Sequence, residues 1–446
     1  MTLNRRQLLG GGALGAAGVA LAGASPAHAA PRQTGVASES SRRGRAGSRV
    51  RTGAQRLADD DWALLAGQRV GVITNPTGTL ADLGSIVDAL AASTAAAAAG
   101  VSIAGVFGPE HGFRGTAQAG ASEGTSTDPR TGLTVYDAYG ANAATFEAMF
   151  TTARVQTVVF DIQDVGARFY TYIWTLYHAM HAAARLGLRV VVLDRPNPVG
   201  GSARGPMLTQ PFASGVGLKP ILQQHGMTVG ELAGFFNGVL LPQEEGAPSV
   251  ERLHVVQVSG WRRREVWHET GLPWVMPSPN MPTPDTALLY PGTGLFEGTV
   301  LSEGRGTTRP FELVGAPFVD HRWAGALNEL ELPGVRFREA YFTPTFGKHE
   351  KAVCGGVQVH VTDPEQVEAI EVATHMIVAA KQLYPDFAWR QDSWDAVRPF
   401  WIDKLTGSAR LRTMIDGGAS ADEVIAAWRD ELADFVRARR PYLLYR

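Results

Sequence analysis

Cysteine is almost absent from this chain: Cys354 stands alone among 446 residues. An intramolecular disulfide is therefore excluded, and oxidation can add nothing to stability. The patterns CxxC and HExxH are missing, and His and Cys nowhere gather at ligand spacing, so no metal is expected. Charge of one sign is scarce too. Lys and Arg total 41 against 43 acidic residues, a formal net charge of −2, and nothing has the basic footprint of a nucleic-acid binder. There is no G-x-x-x-x-G-K-[ST] phosphate loop. The one G-x-G-x-x-G match, Gly10-Gly11-Gly12-Ala13-Leu14-Gly15, follows no strand and arises by chance. No cofactor is expected. The N-terminal apolar segment is too short and too glycine-rich for a stable membrane span.

What is present begins with Asn4-Arg5-Arg6-Gln7-Leu8-Leu9, a twin-arginine pattern, then a Gly/Ala/Leu stretch and the small-x-small signal Ala27-His28-Ala29. Residues 1–30 are therefore expected to be an export signal cleaved before Ala30, placing the mature chain outside the cytoplasm. No cysteine near that point offers a lipid anchor. Residues 31–56, rich in Ser, Arg and Gly without apolar period, are expected to form a disordered basic linker.

From Arg69 onward short apolar runs alternate with helical stretches. The runs 69–74, 101–107, 133–136, 155–160 and 188–193 read as strands, and 83–98, 144–152 and 170–186 as helices. Near-continuous apolar strands between helices imply a parallel α/β sheet covered on both faces. Further on, 356–361 reads as a strand, and 364–383 and 421–437 as helices.

Chemistry-bearing residues gather where these strands end. Phe107-Gly108-Pro109-Glu110-His111-Gly112-Phe113-Arg114-Gly115 places an acid, an imidazole and a guanidinium on a loop that Pro and Gly keep irregular. Asn75 follows the first strand, Asp161 and Asp164 a later one, and Asp194, Arg195 and Asn197 the next. Right-handed crossovers bring such ends to one edge of the sheet, where ligands of α/β proteins sit. Each also has a plain reading: Asn75 and Asp194 as turn or cap residues, Asp161 and Asp164 as helix caps. Arg168 and Tyr170 belong to the same loop system, whereas Phe169, Tyr172, Trp174 and Tyr177 read as core. Thr228 and Glu231 have capping-box spacing, and His225 lies one turn earlier, free to face a cleft. The Pro-rich stretch Trp274 to Pro284, with Asn280, reads as an interdomain crossing. Glu297, Glu303 and Arg305 follow it in a glycine-interrupted run.

Together the stretches Gly71 to Gly78, Phe107 to Gly115, Asp161 to Tyr172, Leu193 to Pro198, His225 to Leu232, Pro277 to Thr283 and Phe296 to Pro310 resemble the exo-β-N-acetylmuramidases of the NamZ type, long catalogued as a domain of unknown function. The resemblance runs from about Gly67 to the C-terminus. It implies a Rossmann-like parallel-sheet catalytic domain (57–284), a smaller C-terminal α/β or α+β domain (285–446), and an active site in the cleft between them. It implies release of N-acetylmuramic acid from non-reducing ends of peptidoglycan fragments, with Glu110 as the catalytic acid.

The residues are compatible with that chemistry. Glycoside hydrolysis needs an acid to protonate the leaving oxygen and a second group at the anomeric carbon. Glu110 is expected to be buried beside Phe107 and Phe113, and apolar surroundings favour the neutral form of a carboxylic acid. Asp161 or Asp164 offers the second carboxylate; alternatively the substrate's N-acetyl group attacks. Retention, inversion and substrate assistance all stay open. Arg114, Arg168, Arg195 and Arg305 are candidates for the lactyl carboxylate of muramic acid, with Asn75, His111, Tyr170, Asp194, Asn197, His225, Asn280, Glu297 and Glu303 completing the expected binding rim. A wall-glycan binding protein without turnover is the competing reading.

Overall fold

The computed structural model describes residues 50–116, 124–244 and 248–446. The expected signal segment and linker residues 31–49 lie outside these. The rest of the linker, 50–56, is ordered, which corrects its expected end. Val50 is buried with Val258 and Trp261, and Thr52 caps a helix, Gly53–Asp59, whose Ala54 and Leu57 are buried. The polarity of residues 31–49 hid a short apolar anchor, Val50, whose buried packing partners lie about 200 residues away.

Among the described residues twelve strands form three sheets. In chain order they are β1 Arg69–Thr74, β2 Ser102–Gly108, β3 Ser126–Thr127, β4 Thr134–Asp137, β5 Thr157–Asp161, β6 Arg189–Leu193, β7 Arg204–Met207, β8 Leu222–Gln224, β9 Leu253–Val256, β10 Leu313–Ala316, β11 Val335–Phe342 and β12 Cys354–Val361. The main sheet has the order β3-β4-β2-β1-β5-β6-β9, parallel throughout except for the antiparallel β3 edge. β1 lies between β2 and β5, so the winding direction reverses between β1 and β5, as in a Rossmann-like fold. A smaller antiparallel sheet, β10-β12-β11, forms the C-terminal part, and β7 and β8 pair as a ribbon.

The alternation along each strand explains both layers. Ile73, Phe107, Val158, Phe160, Val190 and Val192 enter one apolar cluster. Val70, Val72, Val106, Val159, Val191 and Leu193 enter the cluster on the opposite face. Burying each such side chain stabilises by about 1.5–3 kcal/mol. The first cluster continues without a break into Val314, Trp323, Val357 and Met376, so the two larger sheets share a core.

Several expected helices are cut. The run 83–98 is two helices, Ile86–Ala92 and Thr94–Ala98, because Ser93 adopts an extended conformation and its hydroxyl caps the second. The run 421–437 divides into Ala421–Ala426 and Arg429–Arg439. The helix expected from 364 starts at Ala369, after a single turn at Pro364–Gln366. Cys354 is buried at the start of β12, where burial pushes its thiol up to about 11. Among the described residues no helix is long and apolar enough to cross a membrane.

Asp194, at the end of β6, is a junction rather than a rim residue. Its carboxylate accepts hydrogen bonds from the backbone N–H of Arg195 and Gly230, and from the hydroxyls of Thr228 and Tyr445. Thr228 caps the helix Val229–Phe235 in a full capping box with Glu231, and Glu231 in turn accepts from Leu444 N at 2.7 Å and pairs with Arg263. The C-terminal residues are thereby fastened to the parallel sheet.

Candidate active site

The loop after β2 is shaped by its backbone. Gly112 N donates to Pro109 O at 2.9 Å, and both His111 (φ 72°) and Gly112 (φ 76°) are left-handed. For His111 that conformation is uncommon and costs energy, a pattern concentrated at functional sites. A Cβ on Gly108 would come within 2.9 Å of Phe113 N, so glycine lets the loop fold back on the strand end. Phe113 anchors the loop in one apolar cluster. Phe107 belongs to the other and stacks on Tyr136 at 5.0 Å.

Glu110 lines a pocket with His111, Phe169, Tyr170, Thr171, Tyr172, Val216, Ser278, Tyr290, Glu297 and Arg305. It is half-buried rather than buried, and the aromatic rings on its pocket wall are Phe169 and three tyrosines, not Phe107 and Phe113. Thr171 Oγ1 donates to Glu110 Oε2 at 3.4 Å. Tyr172 donates to Pro277 O at 2.6 Å, tying the pocket wall to the Pro-rich crossing. Burial holds the phenols of Tyr170, Tyr172 and Tyr290 above their ordinary range; the charge of Glu110 adds to this at Tyr172 and Tyr290. All three therefore stay protonated and able to donate at neutral pH. Tyr170 packs edge-on against Tyr172 and Tyr290, with centroids at 5.2 and 5.6 Å.

Glu297 and Arg305 reach this pocket from the C-terminal part. Arg305 Nη2 bonds Glu297 Oε1 at 2.9 Å, and its Nε lies 3.4 Å from Glu303 Oε1. Burial opposes the charge on Arg305, but these two carboxylates outweigh it and hold the guanidinium above its usual range. Glu303 is buried behind them and pairs with Lys348 at 2.9 Å. The pocket thus contains two carboxylates, Glu110 and Glu297, with a guanidinium beside them.

Most other residues expected on the rim serve the fold instead. Asp161 is fully buried and held by Arg195 Nε at 2.6 Å and Nη2 at 2.9 Å. Burial raises its pKa against that pairing. Arg195 also donates to Thr79 O. This ion pair ties the end of β5 to the turn after β6. Asn75 closes a turn there, its Oδ1 accepting from Thr77 N and Oγ1 at 2.9 and 2.6 Å. Asn197 accepts from Val199 N and donates to Met227 O. Arg168 is completely buried, donating to the carbonyls of Pro206, Ile221 and Leu405. Arg114 is clamped between Asp88 and Asp128. None of these five arginine and asparagine anchors lines the Glu110 pocket, nor does Asp194.

Asp164 and His225 form a buried pair behind the pocket. Met227 N donates to His225 Nδ1 at 3.2 Å, so the ring proton sits on Nε2 and is donated to Asp164 Oδ2, also at 3.2 Å. Gly166 N donates to the same oxygen at 2.7 Å. The charge of Asp164 is felt at the hydroxyls of Tyr170 and Tyr290, yet Asp164 is not part of the pocket wall. Asn280 is buried just beyond Ser278 and likewise outside that wall. Of the expected residues the structure therefore gathers Glu110, His111, Tyr170, Glu297 and Arg305. It adds Thr171, Val216, Ser278 and Tyr290, and also Phe169 and Tyr172, which had read as core. Thr171 and Tyr172 follow directly on the Arg168 to Tyr170 loop, and Ser278 lies in the Pro-rich stretch, so their positions were signalled; nothing local marked Tyr290.

A strand-end glutamate that shares a phenol-lined pocket with a second carboxylate supplies the two acids that glycoside hydrolysis uses. Two family models match the chain: exo-β-N-acetylmuramidase NamZ, N-terminal, over residues 70–285, and its C-terminal counterpart over residues 288–445. The chain belongs to that family. It is similar to the peptidoglycan β-N-acetylmuramidase NamZ of Bacillus subtilis (strain 168), 44% identical over 399 residues, covering 89% of this chain and 92% of the relative. Two crystal structures of DUF1343 family proteins from Bacteroides fragilis NCTC 9343 share the fold. One has a TM-score of 0.77 at 33% identity, over 89% of this chain and 99% of that one. The other has 0.68 at 29% identity, over 90% and 99%.

Proposed function

We propose that this protein is an exo-acting glycosidase that releases N-acetylmuramic acid from the non-reducing ends of peptidoglycan fragments during cell-wall turnover. The observation that carries the reading is the placement of Glu110: half-buried, on a strained strand-end loop, in a pocket completed by Glu297 and Arg305. Glu110 is assigned as the general acid that protonates the glycosidic oxygen. Glu297 replaces Asp161 and Asp164 as the candidate second carboxylate. It either acts at the anomeric carbon or orients the substrate's N-acetyl group for that attack. The protonated phenols of Tyr170 and Tyr290 are assigned to hydrogen-bond sugar oxygens. Arg305 is the one guanidinium of the four candidates on the pocket wall, and it is assigned the lactyl carboxylate.

The division into a catalytic part, 57–284, and a part completing the cleft, 285–446, belongs to the same proposal. So does export: the Arg5-Arg6 signal supports action outside the cytoplasm after transport through the twin-arginine route. The direct test is incubation of the wild type and Glu110→Gln with N-acetylmuramyl-β-1,4-N-acetylglucosamine. Release of free muramic acid derivative by the wild type alone is the expected result. Binding without release by the wild type would return the protein to the glycan-binding class.

A further inference from the structure

Glu110, Thr171 and Val216 line a second cavity as well as the first. Its other walls are Ala138, Tyr139, Gly140, Ala141, Trp174, Thr175, His178 and Gly215, and its volume is about 450 Å³ against about 180 Å³ for the first. An acid that cleaves a glycosidic bond must stand between the two sugars that the bond joins. Glu110 occupies that position between these two cavities. Burial then sets the direction. Phe169 and the three tyrosines of the inner cavity are all buried, Tyr172 at 3% and Tyr290 at 6% exposed among them, whereas the outer cavity carries an exposed ring, Tyr139 at 39%. The more buried end suits a terminal sugar, and whatever is attached to it then extends toward the exposed ring.

The outer cavity also has the surfaces a sugar needs. Trp174 forms a rigid floor, its indole N–H donating to Arg168 O at 2.9 Å and its ring stacked on Phe236 at 5.8 Å. Tyr139 stands at the rim after β4, where burial and then the charge of Glu110 raise its phenol. An aromatic face and rim suit the C–H face of a pyranose, and the hydroxyls of Thr171 and Thr175 suit its polar edge.

We propose that this outer cavity is the leaving-group subsite, holding the N-acetylhexosamine released when the bond is cut, with Tyr139 as its stacking platform and Gly215 keeping its mouth clear. The assignment rests on the glycosidase reading above. A side chain built on Gly215 meets no atom within 4 Å, so Gly215→Phe should fill the mouth without disturbing the fold. Removing the exposed ring in Tyr139→Ala should be equally mild for folding, which circular dichroism can check.

The test compares kcat/KM for the disaccharide N-acetylmuramyl-β-1,4-N-acetylglucosamine with that for methyl β-N-acetylmuraminide, whose aglycon is too small to enter the outer cavity. The preference for the disaccharide should fall at least about tenfold in Gly215→Phe and several-fold in Tyr139→Ala, the scale of one lost sugar contact (about 1.4 kcal/mol per factor of ten). Weak binding of free N-acetylglucosamine to the wild type, followed by isothermal titration, should vanish in Gly215→Phe. A parallel fall on both substrates, or unchanged preference, overturns the subsite and leaves the glycosidase reading intact. No turnover by the wild type, with N-acetylglucosamine binding still abolished by Gly215→Phe, removes the glycosidase reading and keeps the sugar site.

Discussion

Arg195 grips Asp161 through both carboxylate oxygens, at 2.6 and 2.9 Å, where β5 ends and the chain leaves β6. Neither residue reaches the Glu110 pocket, so the pair should matter to stability far more than to chemistry. Asp161→Ala leaves the Arg195 charge buried and uncompensated, a loss of about 3–5 kcal/mol. Urea denaturation measures it, and a variant as stable as the wild type would show that the pair is dispensable. Activity per folded molecule should change much less than in Glu110→Gln.

Glu110→Gln should lose about two to four powers of ten in rate on the disaccharide, whose sugar leaving group needs a proton. The loss should be much smaller on an activated aryl glycoside, which departs without one. Steady-state kinetics on both substrates decide the point. Equal losses on the two would mean that Glu110 positions substrate instead of donating the proton.

Arg305 should set selectivity for the lactyl carboxylate. Arg305→Leu should lower kcat/KM for muramic substrates and narrow the gap between N-acetylmuramic and N-acetylglucosamine glycosides, because the charged group no longer finds its partner. Arg305→Lys should restore part of the preference, but not the geometry of a paired contact. A preserved gap in Arg305→Leu would assign the carboxylate to another donor.

Acid should loosen the loop that carries Glu110. Hydrogen bonds from Arg114 hold the Asp128 carboxyl down from 3.8 to about 2. Because the folded value lies below the unfolded one, the stabilisation is fully present above pH 3.8 and disappears as pH falls through about 2. Arg114→Leu should be less stable than the wild type at neutral pH and show a flatter stability profile across that window. Urea midpoints measured from neutral pH down to the acid limit test this; parallel profiles would contradict it.

Replacing Arg5 and Arg6 by Lys should block export of the folded chain, followed by fractionation and immunoblotting. Unchanged export would refute the twin-arginine assignment.

The sequence made some parts of this molecule plain because they are local. An apolar run between breakers, such as 155–160, is a strand wherever it lands, and a Pro/Gly-fixed loop such as Pro109 to Gly112 stays irregular in any context. The roles of polar strand-end residues were not local. Arg168 looks the same in sequence whether it faces a ligand or the carbonyl of Leu405, 237 residues away. Asp194 reads as a rim residue until Tyr445 arrives beside it. That Glu297 and not Asp161 or Asp164 lines the Glu110 pocket depends on how the C-terminal part docks, which no spacing encodes. Glu297 and Arg305 were expected at the site through family resemblance, and their pairing at 2.9 Å emerged only in three dimensions.

The fastening of Leu444 and Tyr445 also makes two distant stretches interdependent. Tyr445 donates a hydrogen bond to Asp194 and packs against Trp261 at 5.2 Å, while Leu444 donates to Glu231. Asp194 directly follows β6, and Glu231 stands in the first turn of the helix Val229–Phe235. Removing these two residues would leave two buried carboxylates each short of a donor. A change far from the pocket would thus be felt where an inner strand of the sheet meets the helix beside it.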